Sequence, residues 1–77
     1  MFKLLDTVAL THDIADAGLQ LGDLGAVVEI LDPEVFEVEF VAASGRTQAL
    51  LTLCADDIRH IGDHELIAVR SLDHADS

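Results

Sequence analysis

Apolar and polar residues alternate along several short stretches of the chain, a period of two that is typical of half-buried β-strands. In the clearest stretch, residues 35–42, Phe36, Val38 and Phe40 share one face while Glu37 and Glu39 point to the other. Alternation or runs of β-branched residues predict four further strands, over residues 7–12, 26–31, 46–53 and 58–61. The chain is therefore expected to be built almost entirely from strands.

The connections between these stretches predict how the strands are arranged. Residues 32–34 and 43–45 are short polar turns, so each is expected to close a hairpin. A longer ordered loop is expected over residues 13–22, and a single helical turn over 55–59. Three apolar residues are expected to close the longer loop: Ile14, Leu19 and Leu21. This order of strands, loop and turn predicts an all-β fold, a small five-stranded barrel of the SH3-like type.

Two glycines three residues apart open the second strand. The run Gly22-Asp23-Leu24-Gly25, followed by a β-branched strand, resembles the KOW-type turn of ribosomal and transcription proteins. Those proteins are basic and this chain is acidic. The resemblance therefore concerns the fold and not RNA binding.

Four blocks of the sequence, Lys3–Leu10, Gly22–Glu29, Glu37–Val41 and Ala49–Leu53, carry a further resemblance. Together, over about residues 2–61, they resemble a family of small bacterial proteins described as a domain of unknown function and numbered 4926. The resemblance implies a small SH3-like barrel without an established activity or functional residues. It also implies a gene that often lies beside another small gene, in some cases one that encodes a toxin-like protein.

The domain organisation follows from these patterns. We expect the barrel to span residues 1–61. Residues 62–70 contain the apolar run Leu66–Val69 and are expected to form a C-terminal extension, either an extra strand or a short helix. Residues 71–77 lack apolar periodicity and are expected to be a flexible acidic tail.

The balance of charges excludes several classes of partner. Four Lys and Arg residues against fifteen Asp and Glu residues give a formal net charge of −11. A nucleic-acid backbone and an anionic lipid surface would both be repelled by this charge, whereas a basic protein or a divalent cation would be attracted. We therefore expect a basic protein partner, and neither nucleic acid nor a membrane.

The expected location is the cytoplasm. Cys54 is the only cysteine, so no internal disulfide can form, which fits a reducing compartment. The apolar opening Met1–Leu5 ends at Asp6 and is too short for the apolar core of a secretory signal.

Few residues of the sequence are candidates for catalysis or metal binding. His60 and His64 are four residues apart, a spacing that would place two metal ligands on one face of a helix. Gly62 between them argues against a regular helix, so we favour solvated histidines over a metal site. Cys54 would need a nearby base to act as a nucleophile, and neither an orienting acid nor a strained-turn motif surrounds it. The sequence therefore predicts no catalytic residue, no metal and no cofactor.

The most informative feature is an acidic stretch over residues 29–39, which contains five acids and no basic residue. The alternation places Glu29, Glu37 and Glu39 on the outer face of one hairpin. Apolar residues of the same parity are expected beside them: Val27, Leu31, Val35 and Val41, with Leu50 of the next strand as a further candidate. Apolar side chains surrounded by one sign of charge are typical of an interaction surface. The predicted partner-binding residues are Glu29, Leu31, Glu34, Val35, Glu37, Glu39 and Val41.

These observations favour a non-enzymatic acidic module that binds a basic protein. An antitoxin or immunity-type protein that covers a toxin-like partner is the most concrete form of this hypothesis. The alternative is a structural domain that forms homo-oligomers, or an accessory subunit of a larger bacterial enzyme. An acidic face that serves only solubility remains the simplest explanation of the charge. Because so much apolar surface is expected outside the barrel, we also expect the chain to form a homodimer or a higher oligomer.

Overall fold

The computed structural model describes residues 1–72. It contains five antiparallel strands: β1 (Thr7–Leu10), β2 (Leu24–Asp32), β3 (Val35–Val41), β4 (Thr47–Cys54) and β5 (Ile58–His60). Single 3₁₀ turns occupy Ala15–Ala17 and Ala55–Asp57. All five predicted strands are confirmed, with ends within two residues of those expected, and the predicted helical turn after β4 is confirmed as a shorter 3₁₀ turn.

Hydrogen bonding joins the strands into one antiparallel sheet in the order β4-β3-β2-β1-β5. The two predicted hairpins are confirmed, because β2 pairs with β3 across Pro33-Glu34 and β3 pairs with β4 across residues 42–46. Within residues 1–72 no pairing joins β4 to β5, so the sheet is open. The fold is all-β, with β4 and β5 at the two edges.

A register shift in β2 determines which of its side chains enter the core. Val27 pairs with Val38, but the next pair along the hairpin is Glu29 with Glu37, so Val28 is an extra residue on β2. Such a β-bulge reverses the inward and outward alternation of the strand. Val27 is consequently fully buried, and the expectation that it lies on the outer face beside Glu29 is wrong.

The hydrophobic core lies against the inner face of the sheet. β3 contributes Phe36, Val38 and Phe40, which confirms the inward face predicted from its alternation. Gly25 of β2 lets this strand approach closely, because a Cβ atom there would lie 2.7 Å from Val38 Cγ1. The buried core residues are Val8, Leu10, Leu19, Val27, Phe36, Val38, Phe40, Leu53 and Ile58.

The connection from β1 to β2, residues 11–23, packs back onto this core. Ile14 and Leu19 form an isolated antiparallel bridge, and Leu19 is buried. Gly18 has a φ of 72°, a left-handed conformation that ends the 3₁₀ turn at little cost for glycine. Leu21 is 65% exposed, so the expectation that it helps to close the loop is wrong.

The C-terminal extension, residues 62–70, forms neither the strand nor the helix expected from its apolar run. After a turn it continues without regular secondary structure. Ion pairs attach it to the sheet domain: Arg59 Nη1 lies 2.8 Å from Glu65 Oε2, and Arg70 Nη2 lies 2.6 Å from Asp23 Oδ2. Charged groups rather than strand pairing therefore hold the extension in place.

The apolar side chains of the extension are directed to solvent. Leu66 is 96% exposed and Val69 is 94% exposed. The extension shares a cleft with Ala9 and Leu24, whose strands form the other wall. No residue of the extension belongs to the buried core.

No helix within residues 1–72 has the length and apolar character needed to cross a membrane. The acidic tail expected over residues 71–77 lies outside the described residues from residue 73 onward.

We predict that Phe40→Ala largely unfolds the protein. The Phe40 side chain is 2% exposed, and emptying such a site costs about 3–5 kcal/mol. The total free energy of unfolding of a domain is only about 5–15 kcal/mol, and a small domain lies near the lower end. Circular dichroism during urea unfolding measures the effect. Leu50→Ala is the control, because Leu50 is 56% exposed and its truncation should change the stability by about 0.5 kcal/mol or less. Equal stability of the two variants would contradict the assigned core.

Candidate functional site

The outer face of β2, β3 and β4 combines carboxylates with apolar side chains. Two rows of paired residues cross these strands: Glu29–Glu37–Thr52 and Ala26–Glu39–Leu50. We call six residues of this face the outer patch: Glu29, Val35, Glu37, Glu39, Val41 and Leu50. The β-bulge at Val28 is what brings Glu29 onto this face, directly opposite Glu37. The sequence prediction that Glu29, Glu37 and Glu39 share an outward face of the hairpin agrees with this pairing.

Threonine hydroxyls from β4 hold two of these carboxylates. Thr52 Oγ1 donates a hydrogen bond to Glu37 Oε2 at 2.7 Å, and Thr47 Oγ1 donates to Glu39 Oε2 at 2.5 Å. Glu37 and Glu39 are half-buried, whereas Glu29 is exposed. The two carboxylates of β3 are thereby oriented along the sheet rather than free to rotate. Neither threonine is predicted as part of the site from the sequence, because only the register of β3 against β4 reveals them.

Within residues 1–72, no basic side chain forms an ion pair with the outer patch. The ion pairs in this part of the chain are His12–Asp57, Arg59–Glu65, His60–Asp6 and Arg70–Asp23. The negative charges of Glu29, Glu37 and Glu39 are therefore not neutralised there by a basic neighbour. Like charges directly opposite each other on neighbouring strands destabilise a sheet, so the Glu29–Glu37 pair lowers the stability of the isolated protein.

Apolar side chains border these carboxylates. Val41 is 51% exposed and Leu50 is 56% exposed, while Val35 is half-buried. All three belong to the outer face, because they alternate with the inward residues of β3 or pair with Glu39 across β4. The outer patch therefore combines two exposed apolar side chains, Val41 and Leu50, with carboxylates that form no ion pair within residues 1–72.

Two of the predicted partner-binding residues lie at the end of the hairpin and outside the paired rows. Leu31 falls at the second register shift of β2 and is 49% exposed. Glu34 occupies the turn after Pro33, where its carbonyl accepts a hydrogen bond from the Ala55 backbone N–H at 2.9 Å. Leu31 and Glu34 therefore lie at the tip of the hairpin, next to the outer patch.

A histidine–carboxylate pair joins the first loop to the second 3₁₀ turn. His12 Nε2 lies 2.7 Å from Asp57 Oδ1, and His12 Nδ1 lies 2.9 Å from the carbonyl oxygen of Asp13. Because both ring nitrogens face oxygen acceptors, the doubly protonated imidazolium suits this position. The hydrogen bond with Asp57 raises the pKa of His12 above its usual 6.5, and the same bond lowers the pKa of Asp57 below its usual 3.8.

Within residues 1–72, the contacts of Cys54 cap the second 3₁₀ turn. The thiol is exposed, and Cys54 and Asp57 bond reciprocally: the Asp57 backbone N–H donates to the Cys54 side chain, and the Cys54 backbone N–H donates to Asp57 Oδ2 at 2.9 Å. His12, which contacts Asp57, directs both ring nitrogens to other oxygen atoms. The arrangement therefore caps the 3₁₀ turn rather than orienting a base toward the sulfur.

The histidine spacing considered in the sequence does not build a ligand set. His60 stacks on Phe2, with ring centroids 4.3 Å apart, and its Nε2 lies 3.6 Å from Asp6 Oδ2. His64 is exposed in the turn of the extension. Across residues 1–72, no group of three His, Cys, Asp or Glu side chains is arranged to hold a metal ion.

An open cleft of about 330 Å³ lies between the extension and the sheet, lined in part by Leu24, Phe40 and Val69. At its side Arg70 donates to both oxygens of Asp23, through Nε at 2.8 Å and Nη2 at 2.6 Å. The hydrogen bond from Arg70 lowers the pKa of Asp23. Arg70 neutralises Asp23, so this pair adds no net charge to the cleft.

Comparison with known proteins gives one match. The family model described as "Domain of unknown function (DUF4926)" matches residues 4–60, which include all five strands. No curated protein and no solved structure matches the chain.

We predict that the His12–Asp57 pair stabilises the protein mainly between about pH 4 and 6.5. Folding raises the pKa of His12, so the stability that the pair contributes is complete below the pKa of His12 in the unfolded chain. This contribution is lost as the pH rises through the higher pKa of His12 in the folded protein. Folding lowers the pKa of Asp57, so its contribution to stability is lost as the pH falls through the pKa of Asp57 in the folded protein. His12→Gln should therefore lower the melting temperature most near pH 5–6, and the deficit should shrink toward pH 8.

His64→Gln is the control for this experiment, because His64 has no ion pair within residues 1–72. Its melting temperature should follow that of the unchanged chain at every pH. A deficit of His12→Gln that grows with rising pH would contradict the assignment.

Proposed function

The chain belongs to the DUF4926 family, a domain of unknown function, and we propose that it is a non-enzymatic module that binds a basic protein through its outer patch. The observation that carries this proposal is the row in which Glu29 directly faces Glu37 with no basic residue paired to either within residues 1–72. Such a row costs stability in the isolated protein. A basic partner would convert that cost into attraction when the complex forms.

The apolar members of the outer patch support binding to a protein rather than to a small cation. Val41 and Leu50 are each more than half exposed, and they lie beside Glu39 on the same face. Protein interfaces commonly combine an apolar centre with charged groups that fix orientation. A cation alone would gain nothing from Val41 or Leu50, whereas a protein surface would bury them.

The net charge of −11 also indicates which class of protein the proposed partner belongs to. A protein that acts on nucleic acid or on phosphate groups presents basic side chains, and an acidic surface that covers them would exclude the substrate. We therefore propose an antitoxin or immunity-type role in the cytoplasm, in which the outer patch covers the basic site of a toxin-like protein. The neighbouring small gene implied by the family resemblance is the first place to look for this partner.

We further propose that the sheet is a partly closed barrel of the SH3-like type. The strand order β4-β3-β2-β1-β5, the long loop between β1 and β2 and the 3₁₀ turn between β4 and β5 support this assignment. It matters for function because such a scaffold leaves its binding surfaces on loops and on the outer faces of strands.

We predict that exchanging Glu37 and Glu39 together for Lys slows association with the basic partner by about tenfold or more, because electrostatic steering is lost. Surface plasmon resonance with the purified product of the neighbouring gene, at low and at physiological salt, measures the rate. The native chain should bind more slowly as salt is added, and the variant should respond much less to salt.

The matched control exchanges Asp16 and Asp63 for Lys, which changes the net charge equally at exposed positions away from the outer patch. This control should keep most of the association rate and the native melting temperature. If both double variants lose the same amount of binding, net charge rather than the outer patch drives association, and the proposed site is wrong.

A homo-oligomeric structural domain is the second candidate function, because the extension exposes Leu66, Ile67 and Val69. Sedimentation velocity of the purified chain distinguishes the two candidates. The second predicts a dimer that Leu66→Ser with Val69→Ser converts to a monomer. A monomer at every concentration would reject this candidate and leave the extension's apolar residues without a self-association role.

A further inference from the structure

Strand β4 forms an open edge of the sheet, and its pairing with β3 is regular along most of its length. β4 pairs only with β3 within residues 1–72, and six successive pairs, from Phe40–Ala49 to Val35–Cys54, run without a register shift. Its sequence, Thr-Gln-Ala-Leu-Leu-Thr-Leu-Cys, contains no charged residue and no proline. Natural proteins usually protect a long edge with such residues, with bulges or with a covering segment, because unprotected edges add further strands. The other edge, β5, has only three residues and includes Arg59.

The hydrogen bonds at the end of β4 identify the groups that face outward. The Cys54 backbone N–H donates to the Asp57 carboxylate rather than to β3. Because backbone direction alternates along a strand, Thr52 and Leu50 direct their N–H and C=O groups to the same open side. At the beginning of β4, Gln48 Nε2 donates to the carbonyl of Ala17 at 3.3 Å, so the first loop covers that end. The Asp57 carboxylate already occupies the Cys54 N–H, so the available edge is residues 50–53.

The side chains beside this edge indicate which residue types an added strand would place on each face. On the outer face it would lie next to Leu50 and Thr52, and Glu37 and Glu39 of β3 would be one strand further away, at about 9–10 Å from the added backbone. The long stems of Lys or Arg span much of that distance while covering apolar surface. On the inner face the added strand would lie next to Leu51, which is half-buried and favours an apolar neighbour.

We propose that an extended segment of the partner, alternating basic with apolar residues, adds to β4 as a sixth strand. This inference rests on the proposed function, and it names the part of the basic partner that binds and how it binds. Main-chain hydrogen bonds would supply affinity, and the alternating side chains would supply specificity. A second copy of this chain cannot supply the segment, because its basic residues Lys3, Arg46, Arg59 and Arg70 are each more than ten residues apart.

Synthetic peptides of about ten residues, the length of a long natural strand, test the inference with the full chain. The first peptide alternates Lys and Val. The second has the same sequence with every backbone nitrogen methylated, which keeps the charge and removes the N–H donors. The third replaces Lys by Glu. Calorimetry should show that the first peptide binds at least about tenfold more tightly than the second, since several backbone hydrogen bonds are lost, and that the third does not bind.

A pair of variants tests the same edge from the protein side. Thr52→Pro removes an outward N–H at an edge position, where proline is tolerated. It should weaken the binding of the Lys-Val peptide by about tenfold or more. Thr52→Ala removes only the hydroxyl bonded to Glu37 and keeps the backbone N–H, so Thr52→Pro should bind the Lys-Val peptide about tenfold more weakly than Thr52→Ala does. Far-ultraviolet circular dichroism verifies the fold of each variant. If Thr52→Pro does not fold, the methylated peptide alone decides the question.

Equal binding of the methylated and unmethylated Lys-Val peptides would overturn strand addition while leaving charge-driven docking on the outer patch intact. Equal weakening by Thr52→Pro and Thr52→Ala would also overturn it, since the hydroxyl and not the edge would then matter. Failure of both cationic peptides to bind would contradict the inference, and the Glu37 and Glu39 reversal with the folded partner would separately decide the proposed function.

Discussion

A single extra residue in β2, Val28, decides how this small chain divides its side chains between core and surface. Before the bulge Val27 faces Val38 inside the core, and after it Glu29 faces Glu37 on the outer side. Without the shift, a period of two would place both Val27 and Glu29 on one face. The core would lose a fully buried valine, or a carboxylate would enter it at a large desolvation cost. Both the stability of the domain and the composition of its outer patch depend on this residue.

The distribution of basic residues has an equally direct consequence. Arg59 and Arg70 pair with acids that attach the extension, Glu65 and Asp23. The outer patch gains threonine hydrogen bonds instead of cations. Glu37 and Glu39 are therefore oriented, and no ion pair within residues 1–72 neutralises them or Glu29. An oriented, uncompensated charge can steer an oppositely charged protein, and this is why the proposed function is centred on the outer patch rather than on the cleft.

The sequence predicted those elements whose signals are local. The alternation of β3 identified the inward Phe36, Val38 and Phe40, and the turn residues identified both hairpins. The bulge could not be predicted, because it exists only in the pairing of β2 with β3 and leaves no distinctive residue at Val28. The position of the extension could not be predicted either, since the Arg70–Asp23 ion pair joins residues 47 positions apart.

The sequence likewise predicted only part of the candidate site. Glu37 and Glu39 follow from strand parity. Glu29 reaches the same face only through the bulge at Val28, and the threonines that hold Glu37 and Glu39 follow only from the register of β4. Nuclear magnetic resonance of the isotope-labelled chain, titrated with the Lys-Val peptide, tests the central claim most directly. Docking on the outer patch predicts saturating amide shift changes concentrated in residues 35–41 and 47–54. Changes concentrated in the first loop or the extension, or no saturable change at all, would contradict it.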